Sequence, residues 1–159
     1  MVVYAPHGVG RIVAHEQKRV AGTERECVVV DLAAGLRVTL PLEETVERLR
    51  PVADEGELEK VRRTLASEPA GRDGSWTQRI SKSKAKLASG RAIELAEIVR
   101  DGSRLDGSAG SRLSDGEWRL YLQARDLLAR EICSARGLEQ HEADQWIDDQ
   151  IELSDQDGD

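Results

Sequence analysis

The chain has 159 residues, of which 39% are hydrophobic, and it carries a formal net charge of −7. That is enough apolar material for one domain or two small ones. No run approaches the ~20 apolar residues of a membrane span, and the first residues lack the layout of a signal peptide. Cys27 and Cys133 are too few and too far apart for a disulfide framework, which points to a cytoplasmic protein.

The net charge argues at first against nucleic acid, but its distribution reverses that impression. From Glu139 to Asp159 there are nine acids and no Lys or Arg, so this segment carries −9 and leaves the remainder at +2. Between Arg72 and Arg91 six basic residues face one acid, a local charge of +5. Asymmetry of this kind describes partners rather than fold, and its plain reading is a solvated helix face.

The first fifty residues read as β. Val28-Val29-Val30 leads into Asp31-Leu32, and Leu36 to Leu40 alternates apolar and polar before Pro41, as a strand buried on one face does. Gly8, Gly10, Gly22 and Gly35 punctuate the stretch where turns or bulges belong. From Asp54 the pattern turns helical, with Leu58, Val61 and Leu65 at helical spacing. Glu68 to Gly74 reads as a loop. Ser75-Trp76-Thr77-Gln78 has the form of a capping box, and its helix runs to the stop at Ser89-Gly90. A third helix covers about Ala92 to Arg100, followed by a polar Gly/Ser-rich loop. Ser114-Asp115-Gly116-Glu117 forms a second capping box ahead of a long helix ending near Arg136-Gly137. A last helix, about Glu139 to Leu153, leads into an acidic tail, 154–159, expected to be disordered. The expected fold is α+β: a small β domain over residues 1–52 and an all-α domain over 53–153.

With no Phe and only three Trp, each tryptophan demands an explanation. Trp118 stands four residues past the Ser114 cap with Leu113 before it, the spacing of a hydrophobic staple, so it reads as structural. Trp146 shares a helical stripe with Ala143, Ile147 and Ile151 and reads as core. Trp76 has two readings. It heads a helix after a Gly-containing loop, where a side chain can project, yet Ile80, Ser83 and Leu87 follow at helical spacing and would make it the head of an apolar face. Arg79, Lys82 and Lys86 share one face of that helix, with Lys84 to one side. Basic residues beside an exposed aromatic at a helix N-terminus suit nucleic acid through phosphate contacts and a wedge or stacking platform.

Signals for catalysis are poor. His141-Glu142-Ala143-Asp144-Gln145 opens like a zinc-protease motif but has Gln at the second His position, and phosphate-binding, dinucleotide and nucleophile-elbow motifs are absent. His7, His15 and Cys27 are too scattered to argue for zinc. Neither an enzyme nor a cofactor or metal is expected.

Three segments together resemble the CarD family of RNA polymerase-binding transcription regulators, also called CdnL-type proteins. Val2 to Gly10 resembles the family's opening V-V-Y-P-x-H-G-x-G, and Val38-Thr39-Leu40-Pro41 resembles its V-x-V-P strand end. From Trp76 to Arg100 the chain follows W-[ST]-x-R, then K-L-A-S-G, then a helix containing A-E-I-V-R-D. The resemblance runs from Val2 to about Ile151. Relatives carry several more residues before V-V-Y, so the first strand is expected to be short or the natural start to lie upstream.

The resemblance implies a Tudor-like N-terminal domain that binds the polymerase β subunit and a helical C-terminal domain that contacts promoter DNA. The family's DNA-facing tryptophan falls at Trp76. It implies a sequence-nonspecific wedge in the minor groove at the upstream edge of the transcription bubble, which stabilises the open complex. Arg79 matches the motif's basic position, and Lys82 and Lys86 join it by their shared face. Of two basic polymerase-contacting positions, one matches Lys18; the other falls at Thr39, which is not basic, with Arg37 two residues earlier on the same strand face as its substitute. The implied protein is a cytoplasmic monomer, held to the nucleoid through RNA polymerase and not bound to membrane. The rival reading is a polymerase-binding adaptor with little DNA affinity.

Overall fold

A computed structural model of the protein describes residues 1–5, 7–69, 74–107 and 112–156. The N-terminal half is an antiparallel sheet of β1 (Val2–Tyr4), β2 (Gly8–Val20), β3 (Thr23–Leu32), β4 (Arg37–Pro41) and β5 (Leu49–Pro51). Its strand order is β4-β3-β2-β1-β5, so β4 and β5 are the edges. A register shift between Ile12 and Ala14 marks a bulge in β2, which bends and twists that strand. Val28, Val30 and Leu32 form a small core with Val2, Tyr4, Val38 and Leu49. A short helix, α1 (Leu42–Arg48), separates β4 from β5.

The helical half comprises α2 (Glu55–Leu65), α3 (Trp76–Ser89), α4 (Ala92–Gly107), α5 (Asp115–Arg136) and α6 (Gln140–Gln156). Leu58, Val61 and Leu65 of α2 are buried, as their spacing requires, and they join Leu95, Val99, Leu128, Ile132 and Ile147 in one core. Arg125 clamps α6 onto α5 through two bonds to Asp148 of 2.8 and 2.9 Å. The architecture is the Tudor-like β domain plus all-α domain expected.

Several local expectations need correction. The first fifty residues are not all β: α1 escapes the periodicity test because it is only seven residues long and buries none of them. Acids in its first turn and an Arg48–Glu44 pair across one turn favour it locally. The third helix continues past Arg100 to Gly107 despite its Gly and Ser content. Gly102 is where α4 meets Tyr121 of α5, since a Cβ there would lie 2.5 Å from the ring. Close packing thus outweighs the helix-weakening tendency of glycine. The last helix reaches Gln156, three residues into the tail expected to be disordered. Residues 157–159 lie outside the described residues, as do 70–73 of the first loop and 108–111 of the second.

The two halves meet at a buried ion pair. Arg50 on β5 grips Glu131 of α5 with both terminal nitrogens, at 2.6 and 2.7 Å. The Glu131 side chain is 2% exposed and that of Arg50 28%. The backbone amide of Ala53 donates to the same carboxylate at 2.9 Å, and Arg50 also donates to the Gly90 carbonyl at 2.5 Å. Gly90, with φ of +61°, ends α3, and any Cβ on it would strike Ala5, 2.6 Å away. Nearby, Leu127 of α5 packs on Gly8.

Truncating one partner of such a pair strands the other. Glu131→Ala is therefore expected to lower unfolding free energy by about 3 kcal/mol, the lower end for a broken buried pair because Arg50 retains some solvent. Arg130→Ala, which removes an exposed pair with Asp126, should cost well under about 1 kcal/mol. Urea unfolding of both variants checks this, and equal small losses would show that the buried pair does not hold the halves.

Candidate nucleic-acid interface

Ser75 caps α3: its hydroxyl accepts from the Gln78 amide at 3.3 Å, and the Gln78 side chain accepts from the Ser75 amide at 2.9 Å. That reciprocal pair sets Trp76 at the first helical position. Ile80 and Leu87 turn inward and are buried, whereas Trp76 remains 51% exposed. Of the two sequence readings, the projecting one describes its placement. The ring is nonetheless tethered, because its indole N–H donates to the Ser114 hydroxyl, the N-cap of α5, at 3.0 Å. Its edge lies beside Gly116.

The basic face is less free than its charge count suggests. Arg79 donates to the Gly74 carbonyl at 3.1 Å, and its Nε stands 3.5 Å from the Glu117 carboxylate. Lys86 pairs with Glu97 of α4 at 2.8 Å. Lys82 and Lys84 are exposed and make no ion pair among the described residues. The partners Glu97 and Glu117 arrive from other helices, so helical spacing within α3 could not reveal them.

The other two tryptophans differ. Trp118 is not covered as a staple would be: it is 40% exposed and stacks on Tyr121 at 5.3 Å between ring centres. Trp146 is partly buried against the helical core, with Arg136 over its ring at 5.0 Å.

On the sheet, Arg37 and Thr39 lie two residues apart on edge strand β4, opposite Asp31 and Val29. Arg37 forks onto Asp31 at 2.5 and 2.9 Å, and this contact lowers the Asp31 pKa. Lys18, on β2 opposite Arg25, sits 3.3 Å from Glu16. Asp31 and Arg25 are six residues apart on β3, which separates Lys18 from Arg37 by roughly 20 Å along the strands. The three share a sheet face, and Glu16, which pairs with Lys18, also acts electrostatically on Arg37. His7 stacks on Tyr4, and among the described residues no group of His, Cys, Asp or Glu is placed to hold a metal ion. Nor is any described helix long and apolar enough to cross a membrane.

Burial works against the charged form of Glu117, but the Ser114 amide and hydroxyl together with Arg79 outweigh it and hold the carboxyl below the usual glutamate range. A group with a depressed folded pKa adds stability above its unfolded value, near 4.5, and loses that contribution as pH falls through the folded value. Glu117→Gln keeps the capping-box form without the titration. The melting temperature of the natural protein relative to Glu117→Gln should therefore be highest above the unfolded value and decline as pH falls below it. A constant gap on both sides of that value would mean that Glu117 does not carry the charge linking Arg79 to α5.

Comparison with known proteins accounts for both halves. Residues 1–53 match the CarD-like/TRCF RID domain, and residues 60–148 match the CarD C-terminal domain. The chain is 26% identical over 139 residues to "Putative transcription factor YdeB" of Bacillus subtilis (strain 168), covering 86% of this chain and 90% of that one. These are transcription proteins with an RNA polymerase-interacting domain, not a known family of enzymes. With both domains matched in chain order, the chain belongs to the CarD family.

Proposed function

We propose that the β domain binds the polymerase β subunit while the helical domain brings Trp76 against promoter DNA at the upstream edge of the bubble, stabilising the open complex. The observation that carries this reading is a half-exposed tryptophan at the start of a basic helix. The amides at that helix end favour a phosphate, Lys82 and Lys84 supply free charge, and the flat apolar ring can enter a minor groove beside an unstacked base step. Arg79 and Lys86 reach phosphate by exchanging their carboxylate partners. On the β domain, the open edge of β4 with Arg37 and Thr39 offers backbone groups for strand pairing, and Lys18 gives a second contact further along the same face.

Stabilising an open state by about 1.4 kcal/mol over a closed one changes their ratio tenfold, so a single wedge is sufficient. Truncating a buried Trp costs about 3–5 kcal/mol. Trp76→Ala should cost about 1 kcal/mol or less, because half the ring is already in water and one hydrogen bond is lost. Polymerase binding should be unchanged and open-complex lifetime should fall severalfold, read by decay of complexes on one promoter. A stable variant with an unaltered lifetime would favour the second reading, a polymerase-binding adaptor, which the pairing of Arg79 and Lys86 supports.

Charge reversal tests the other end. Lys18→Glu and Arg37→Glu should each weaken polymerase binding in a pull-down. Both positions are exposed, so folding should change by under about 0.5 kcal/mol. Normal binding by both variants would remove this face from the interface.

A further inference from the structure

The second capping box, at the start of α5, has a task beyond ending a helix. The Ser114 hydroxyl is saturated. It accepts from the Glu117 amide at 3.3 Å and from the Trp76 indole at 3.0 Å, and it donates to the Glu117 carboxylate at 2.8 Å. A hydroxyl has one donor and two acceptor sites, and all three are used, so its rotor has one setting. The Glu117 carboxylate that orients this hydroxyl also accepts from the Ser114 amide at 2.9 Å and faces Arg79 across 3.5 Å. Both residues at the start of α3 with a proposed DNA contact are thus braced by one turn of another helix.

We infer that Ser114 is a positioning residue for the DNA-contacting tryptophan, with Glu117 orienting its hydroxyl, so that the ring is presented in one attitude rather than sampling several. The inference rests on the proposed role of Trp76. A half-exposed Trp at the first position of a helix otherwise has free rotation about its side-chain bonds, and ordering such a side chain on binding opposes association. An anchored indole has already lost that freedom. Its hydrogen bond is also exchangeable: the N–H released from Ser114 can be taken up by an acceptor on the nucleic acid.

Ser114→Gly is the informative substitution, because glycine is tolerated at an N-cap at the cost of only a few tenths of a kcal/mol. It removes the hydroxyl and leaves the helix start. In the full chain bearing Trp118→Phe and Trp146→Phe, with folding checked by circular dichroism, Trp76 is the sole indole fluorophore. Ser114→Gly should lower its anisotropy and raise its quenching by acrylamide, while Ser114→Thr, which keeps the hydroxyl and the cap, should hold both near the parent values. Unchanged anisotropy in Ser114→Gly would overturn the anchoring.

In the otherwise natural chain, Ser114→Gly should shorten open-complex lifetime severalfold and leave polymerase binding intact. Added to Trp76→Ala it should have no further effect, since the two act through one contact. A lifetime unaffected by Ser114→Gly but shortened by Trp76→Ala would show that attitude does not matter and overturn the inference. A lifetime unaffected by Trp76→Ala would instead sink the DNA reading, with the functional part of the inference, while the anchoring itself is judged on fluorescence.

Discussion

The arrangement of the two halves depends on one buried carboxylate. Glu131 sits in the apolar stripe of α5 between Leu128 and Ile132, where a charge is tolerated only if it is paired and both its oxygens are hydrogen-bonded. Arg50 and the Ala53 amide meet that demand, and both come from the junction where the sheet ends and the helices begin. Direction follows from this need. Two apolar surfaces could slide across each other at little cost, whereas a bidentate Arg–carboxylate contact has one good geometry. The fifty-residue β domain, with its small core, also gains a wall to pack against.

Electrostatics inside the helical half temper the basic helix. Two of the three cations on its face are matched by carboxylates of α4 and α5. The local charge of +5 read along the sequence is therefore not the field that a phosphate meets. Both pairs are only partly exposed, so they are screened less than free surface pairs, and a phosphate has to compete with Glu117 and Glu97 for these cations. The main effect of the pairs is to hold extended side chains near the surface that Trp76 shares.

Legibility followed the range of the forces involved. The helices α2, α3 and α5 and the strands β3 and β4 were readable because capping, glycine stops and apolar spacing act within a few residues. The half-exposed position of Trp76 was one of two open readings, since position in a helix does not say which neighbours cover it. Contacts beyond local range leave no such signature. Glu131 looks like any acid in a charged helix, although its place in the stripe of Ala124, Leu128 and Ile132 was a usable signal. The extension of α4 rests on the Gly102–Tyr121 approach, which exists only once two helices are packed. Ser114 is legible as a cap, whereas its contact with a ring 38 positions away is not.

The seam where Gly90 rests on Ala5 has a consequence for affinity. Because the halves form one body there, binding by the β domain would deliver the helical domain's tryptophan at a fixed separation, turning the second encounter into an intramolecular one. Its strength is then set by effective concentration, which for short connections reaches the millimolar range, rather than by the concentration of protein in the cell. A chain with net charge −7 and most of its basic face already paired would bind free DNA poorly. On the proposed function, a chain tethered in this way would have no need to bind free DNA well, and weak intrinsic affinity would keep it off other DNA.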